Sequence, residues 1–309
     1  MRTEIFYKII AVLTSVWTLN TGYCKDSLPT QIRHSYLVLG AKTAIIGEDE
    51  NIQWEYKGGS RDGFVLPNGN VLIAWADHVE EVTRDKQAVF SYKKSPDNGE
   101  ISTAQRLYNG NTLITELGSR PRLLEVNPQG TITTEVALQP ETANVHMQTR
   151  MARQLKNGNY LVPHLMAFAV KEYSPEGKIV HTLKTDLDEL GGRKDENWPF
   201  TAIRLDNGNT LVSLTHGNKV VEMNLRGEVV WKADNQHVGG LFKDPCGSQR
   251  LANGNTVIGS HAANQGVSMV ELTPDRKIVW TSNHPLAAGV HEFQILTTNG
   301  KPEPGIPMK

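Results

Sequence analysis

The sequence predicts an all-β fold, a six-bladed β-propeller with four-stranded blades. Three observations predict it. A hairpin motif centred on Asn-Gly returns along the chain, and a second strand–turn–strand motif follows it. The turn glycines fall at 69, 110, 158, 208, 254 and 300, separated by 41, 48, 50, 46 and 46 residues. That is the spacing of propeller blades.

The first motif occupies residues 66–75 (L-P-N-G-N-V-L-I-A-W), with copies starting at Leu107, Leu155, Leu205 and Leu251 and a degraded copy ending at Asn299-Gly300. Asn-Gly between two apolar runs signals a tight hairpin, expected as a type I′ turn with positive φ at both central residues. Turn geometry alone accounts for these residues, so none is a ligand candidate. The second motif is clearest at 221–231 (V-E-M-N-L-R-G-E-V-V-W) and 270–280. Its last position is Trp54, Phe90, Thr134, His181, Trp231 or Trp280. Large flat residues there are expected to pack between neighbouring sheets.

At the N-terminus, Arg2 and Lys8 flank the front of a short apolar run, 9–17, followed by polar residues up to Cys24. This reads as a signal peptide over 1–24, too short to span a membrane. A secreted or periplasmic protein is therefore expected. The 32 basic residues balance 33 acidic ones, which leaves no electrostatic footprint for nucleic acid or anionic membrane. Cys24 and Cys246 are the only cysteines, so no disulfide framework exists and stability must come from blade packing and ring closure.

One propeller domain is expected over 35–300. Residues 35–56 supply three strands with no Asn-Gly hairpin in front, and the last copy supplies a hairpin start with no strands after it. The two fragments complement each other. The C-terminal strand should join the N-terminal strands in one blade and so remove an exposed sheet edge. The other blades should span about 57–93, 100–138, 145–185, 199–235 and 243–284. The longest connection, 185–199, is charged and is either a lid or a solvated loop.

Chemistry in a propeller gathers where innermost strands begin and second strands end. Those positions hold Arg61, His146, Arg150, His291 and Glu292 before the turns, and Trp75, His78, Glu116, His164, His216 and His261 after them. Six of the ten histidines fall in these windows. Histidine suits general acid–base work near neutral pH, and arginine holds carboxylate or sulfate through paired hydrogen bonds. The expected catalytic set is His164, His146, His216, His261 and Glu116. The expected substrate-binding set is Arg61, Arg150, Trp75, His291 and Glu292, gathered on one face of the ring. Arg106, Arg204 and Arg250, three residues before their turn asparagines, read instead as repeat-level packing or interblade salt bridges. Glu172, Glu222 and Glu271 recur in phase and read as structural too. No H-x-H or H-E-x-x-H spacing occurs, so no metal is expected.

The L-x-N-G-N-T-L-I hairpin and the V-x-E-x-x-x-x-G-x-V-V-W segment resemble the repeats of PQQ-like and arylsulfotransferase-like propellers of secreted bacterial proteins. The resemblance covers almost everything after residue 35. In the sulfotransferases it implies a histidine nucleophile, for which His146, His164, His216 and His261 are the candidates. The vicinal cysteine pair of some quinone-dependent dehydrogenases is absent, and no cofactor is expected. Three readings stay open: a carbohydrate-active propeller that binds a saccharide or other anionic polyhydroxylated ligand, with or without cleaving it as a hydrolase or lyase, a sulfotransferase-like enzyme, and a noncatalytic binding or scaffold propeller. A monomer with a small-molecule partner fits each.

Overall fold

A computed structural model of the chain describes residues 31–303. The expected signal segment, 1–24, lies outside the described residues. The chain divides into a unit Met1–Gln31 and a unit Ile32–Lys309, and the second is a β-propeller of six antiparallel sheets.

Blade I comprises Asp62–Val65, Val71–Ala74, His78–Val82 and Ala88–Lys93, innermost strand first. Blade II comprises Asn98–Arg106, Thr112–Gly118, Arg122–Val126 and Ile132–Ala137. Blade III starts with Arg153–Gln154, blade IV with Pro199–Arg204 and blade V with Pro245–Arg250. Blade VI takes its innermost strand, Glu292–Thr298, from the C-terminal side and its other three from the N-terminal side. These are His34–Leu39, Thr43–Ile46 and Ile52–Tyr56, and the short strand Lys301–Pro302 lies on the other edge of Glu292–Thr298. Closure is in register, Leu39 opposite Glu292 and Tyr36 opposite Ile295, and it buries Phe293 and Ile295.

The turn chemistry differs from the expected type I′. In the first copies only the glycine takes positive φ, +85° at Gly69 and +86° at Gly110, whereas the last copy has the expected pair, Asn299 at +50° and Gly300 at +77° between Thr298 and Lys301. The Gly69 N–H bonds to the Leu66 carbonyl, and the Leu66 N–H bonds to that of Asn70. This is a three-residue loop, a type I turn followed by a left-handed glycine. A Cβ would meet open space at Gly69, so backbone conformation and not crowding selects glycine.

The asparagines do more than shape the turn. In blade I, Asn68 and Asn70 both donate to Glu81 of the third strand, and Arg106 of blade II donates to the same carboxylate at 2.6 Å. Glu172 receives Asn157, Asn159 and Arg204 in the same way, and Glu222 receives Asn207, Asn209 and Arg250. At the ring seam His34 substitutes for the arginine, donating toward Glu271 at 2.8 Å. Each buried carboxylate thus ties its own hairpin to the next blade, which is the partnership a buried charge needs. The flat outer-strand residues bridge blades as expected. The Trp54 indole donates to the Arg84 carbonyl, and the Trp231 indole to that of Pro274.

Candidate functional site

Residues eight before each turn glycine begin the innermost strands, at the end of the ring away from the turns. They are Arg61, Ser102, Arg150, Phe200, Cys246 and Glu292. Equal phase places them around one axis, and the chemistry of the ring comes from how unequal they are. A small cleft of about 30 Å³ opens there, lined by Arg61, Ser102, His146, Arg150, Met151, Phe200 and His291. It has room for a water or one small polar group.

Glu100 organises the cleft. Its Oε2 accepts Arg61 Nη2 at 2.8 Å, and its Oε1 lies 3.4 Å from His146 Nδ1 and 3.6 Å from Arg150 Nη1. Burial pushes this carboxyl up, but hydrogen bonds from His146 and Arg61 and the charges of Arg61 and Arg150 outweigh it and hold the group at about 2. Arg150 is buried, donates to the Thr149 and His146 carbonyls and lies over the Phe200 ring. Burial brings its guanidinium down to about 10, with Glu100 opposing.

His291 stacks on His261, ring centroids 4.5 Å apart, and on Phe200 at 6.1 Å. Burial and the neighbouring positive groups His261, Arg61, Arg150 and His146 lower its imidazole to about 3. It is therefore neutral at pH 7. Its Nδ1 and the Ser102 Oγ are buried and have no hydrogen-bond partner. An unpaired polar atom costs free energy when buried, and here two line one cleft, with the Glu100 Oε1 beside it also buried and without a hydrogen-bond partner. His146 sits above on a single 3-10 turn, Val145–Met147, with its side chain 65% exposed.

Below the cleft a buried ion pair links two blades. Asp62 of blade I and Arg153 of blade III meet in a two-bonded pair at 2.8 and 3.0 Å, both buried. Glu292 is buried beside this level and accepts the Thr201 hydroxyl. Cys246 packs with Met151 and Phe200, and burial pushes its thiol up to about 12, so it is no thiolate nucleophile.

The expected residues separate into two groups. Arg61, His146, Arg150 and His291 share the cleft, and His261 adjoins it through His291. The others lie elsewhere. His164 is fully buried between Glu141 and the Tyr173 hydroxyl, with both ring nitrogens engaged. Glu116 is fully buried under Tyr92, Ser95, Asn98 and Arg122, and acts as a hub between strands. Trp75 is buried, donates to the Gly58 carbonyl and stacks on His78. His216 is exposed beside the 185–199 connection, its ring centroid 4.1 Å from that of Trp198 and its Nδ1 3.2 Å from Glu196. That connection is packed through buried Leu190 and Asn197. Glu100 went unnoticed because no repeat position marks it. Its only signal is a carboxylate two residues before Ser102.

Among the described residues no group of three or more His, Cys, Asp or Glu is arranged to hold a metal ion, and no helix is long and apolar enough to cross a membrane.

A family model described as Mal s 1 allergenic protein-like matches residues 46–269. No curated protein matches the chain. Among solved structures, a protein of unknown function from Bacteroides caccae is similar at TM-score 0.74 and 24% identity, over 84% of this chain and 98% of that one. A catalytically inactive virginiamycin B lyase from Staphylococcus aureus, solved with quinupristin, is similar at TM-score 0.58 and 15% identity, over 84% and 87% of the two chains. The WD40 propeller of Doa1 is similar at TM-score 0.56 and 9% identity, over 84% and 81%. Likeness at these identities speaks for the fold alone.

Proposed function

The chain belongs to the Mal s 1 allergenic protein-like family, and from that premise we propose that it is a binding propeller whose histidine–arginine mouth seats the anionic group of a small polyhydroxylated ligand. The observation that carries this is the pair of unpartnered polar atoms, His291 Nδ1 and Ser102 Oγ, in a cleft walled by Arg61 and Arg150. A neutral imidazole and a hydroxyl can both donate to an anion, and two guanidinium groups set the sign of the charge. The cleft takes the anionic group, and the exposed His146 and His261 border the rest of the ligand.

The test is calorimetric titration with D-glucuronate and with sulfate, using D-glucose as the neutral control. Uptake of the anions, lost in Arg61→Met and His291→Ala and absent for glucose, supports the reading. Equal binding of glucose, or anion binding indifferent to both variants, ends it.

A second reading, turnover, is favoured by His146. Its Nδ1 faces Glu100, which orients the ring as a dyad and suits Nε2 to acid–base transfer. An assay against uronic-acid glycosides separates the two, because His146→Ala would abolish cleavage and leave the anion seat in place. The sulfotransferase-like alternative also keeps His146 as its candidate nucleophile. It requires a sulfate adduct on this residue, visible by intact mass after incubation with an aryl sulfate. We further propose export through the segment 1–24. Recovery of protein from its native host with that segment intact in the cytoplasm counts against it.

A further inference from the structure

We propose that the opposite end of the channel, at the turn face, is a second binding site, for a neutral polyhydroxylated molecule of oligosaccharide type. A cavity of about 810 Å³ lies there, within the roughly 300–1,000 Å³ of ligand pockets. It shares no lining residue with the mouth cleft, and Arg153, paired with Asp62, lines it.

Its walls are the inward edges of innermost strands, and such edges carry unpaired N–H and C=O groups. The chain closes several of them with glutamine. Gln105 Oε1 accepts the Gln154 N–H at 2.8 Å, Gln249 Oε1 that of Ile295 at 2.7 Å, and Gln294 Oε1 that of Val65 at 2.8 Å. Each carboxamide reaches the next blade's inner strand.

Blades IV and V break the pattern, as does blade II, where Arg106 opposes Thr112 and the preceding blade holds Phe64 at the supplying position. In blade IV the Leu205 N–H pairs with the Asn209 carbonyl, and Arg204 opposes Thr210. Antiparallel alternation then turns the Arg204 N–H and C=O toward the channel. Arg250, opposite Thr256 beside the Leu251–Asn255 bond, has the same phase. Gln154, in identical phase opposite Tyr160, shows that such an N–H does point inward. The positions in the preceding blades that would supply the carboxamide hold Arg153, turned to Asp62, and Ile203. The Arg204 and Arg250 N–H groups therefore face the channel at positions where no glutamine carboxamide is supplied. The Arg204 Nε, on the same wall, is buried with no partner.

Charge selects the ligand class. The lining guanidinium groups are paired: Arg106 with Glu81, Arg153 with Asp62, Arg204 with Glu172 and Arg250 with Glu222. Among the described residues Glu303, at the cavity edge, accepts from the Ala252 N–H and the Thr298 hydroxyl and has no cationic partner, so the local balance disfavours anions. Open edges present donors and acceptors together, which hydroxyl groups match.

The experiment is calorimetry with cellobiose and maltotriose on the full chain, together with amide hydrogen exchange. Ile203→Gln places a carboxamide where Gln105 and Gln249 have theirs and closes the edge at Arg250. Binding to the wild type, weakened about tenfold in Ile203→Gln as for the loss of one or two neutral hydrogen bonds, with slowed exchange at Arg204 and Arg250, supports the site. Three results overturn it: no binding, binding unchanged in Ile203→Gln, or protection confined to the Arg61–Arg150 mouth. Should Ile203→Gln fail to fold, the exchange pattern of the wild type decides alone.

Discussion

Replacing Glu100 by Gln tests the electrostatics of the mouth most directly. The carboxylate is the shared counter-charge of Arg61, Arg150 and His146. Its side chain is only 12% exposed, so solvent screening is weak. Its pKa falls from an ordinary 4.5 to about 2 on folding, a shift worth about 3 kcal/mol of stability at pH 7. The folded pKa is depressed, so this contribution is full above pH 4.5 and fades as pH falls toward 2, with about half remaining at pH 3. Urea unfolding of wild type and Glu100→Gln at pH 7 and pH 3 reads both numbers. The difference between the two proteins isolates this group, because Glu141, also held at about 2 by His164 and Lys171 against burial, titrates in both. The expected gap of about 3 kcal/mol at neutral pH should shrink by half at pH 3. The same variant should bind sulfate more tightly, since Arg61 and Arg150 lose their internal anion. A gap below about 1 kcal/mol, the size of one ordinary hydrogen bond, or one that does not change with pH, refutes the reasoning.

Arg153→Met should cost about 3–5 kcal/mol in chemical denaturation, because it strips the buried Asp62 carboxylate of a two-bonded cation; an Asp62→Leu/Arg153→Met double variant should recover most of it. Ending the chain at residue 290 removes Glu292–Thr298 and its register with His34–Leu39, and should abolish the cooperative thermal transition. A truncated chain melting at the wild-type temperature contradicts ring closure as the stabilising device. His164→Ala should lower stability by about 2–3 kcal/mol, as expected for opening a hole in a buried network, and leave anion titration at the mouth unchanged. His291→Ala should do the reverse, so the pair of variants separates structural from binding histidines in one experiment.

The sequence by itself determined the ring. Backbone conformation restricts the turn glycine at 69 and its equivalents, and that restriction repeats wherever a blade repeats. The phase of Arg106, Arg204 and Arg250 against their asparagines likewise marked a structural role, packing or interblade salt bridge, because the repeat fixes both height and blade-to-blade reach. Tertiary structure alone decided which polar residues meet in space. His164, Glu116 and Trp75 share one offset from their turns, yet each is buried and engaged by its own neighbours. His146 lies outside the strands, on a short turn whose direction the repeat does not set. Asp62 and Arg153 stand 91 residues apart and join across blade II, a contact made by the closing of the ring and not by any local pattern. Periodicity fixes where along its blade a side chain starts. Whether it ends in a cleft or inside a network depends on what the neighbouring blades present to it.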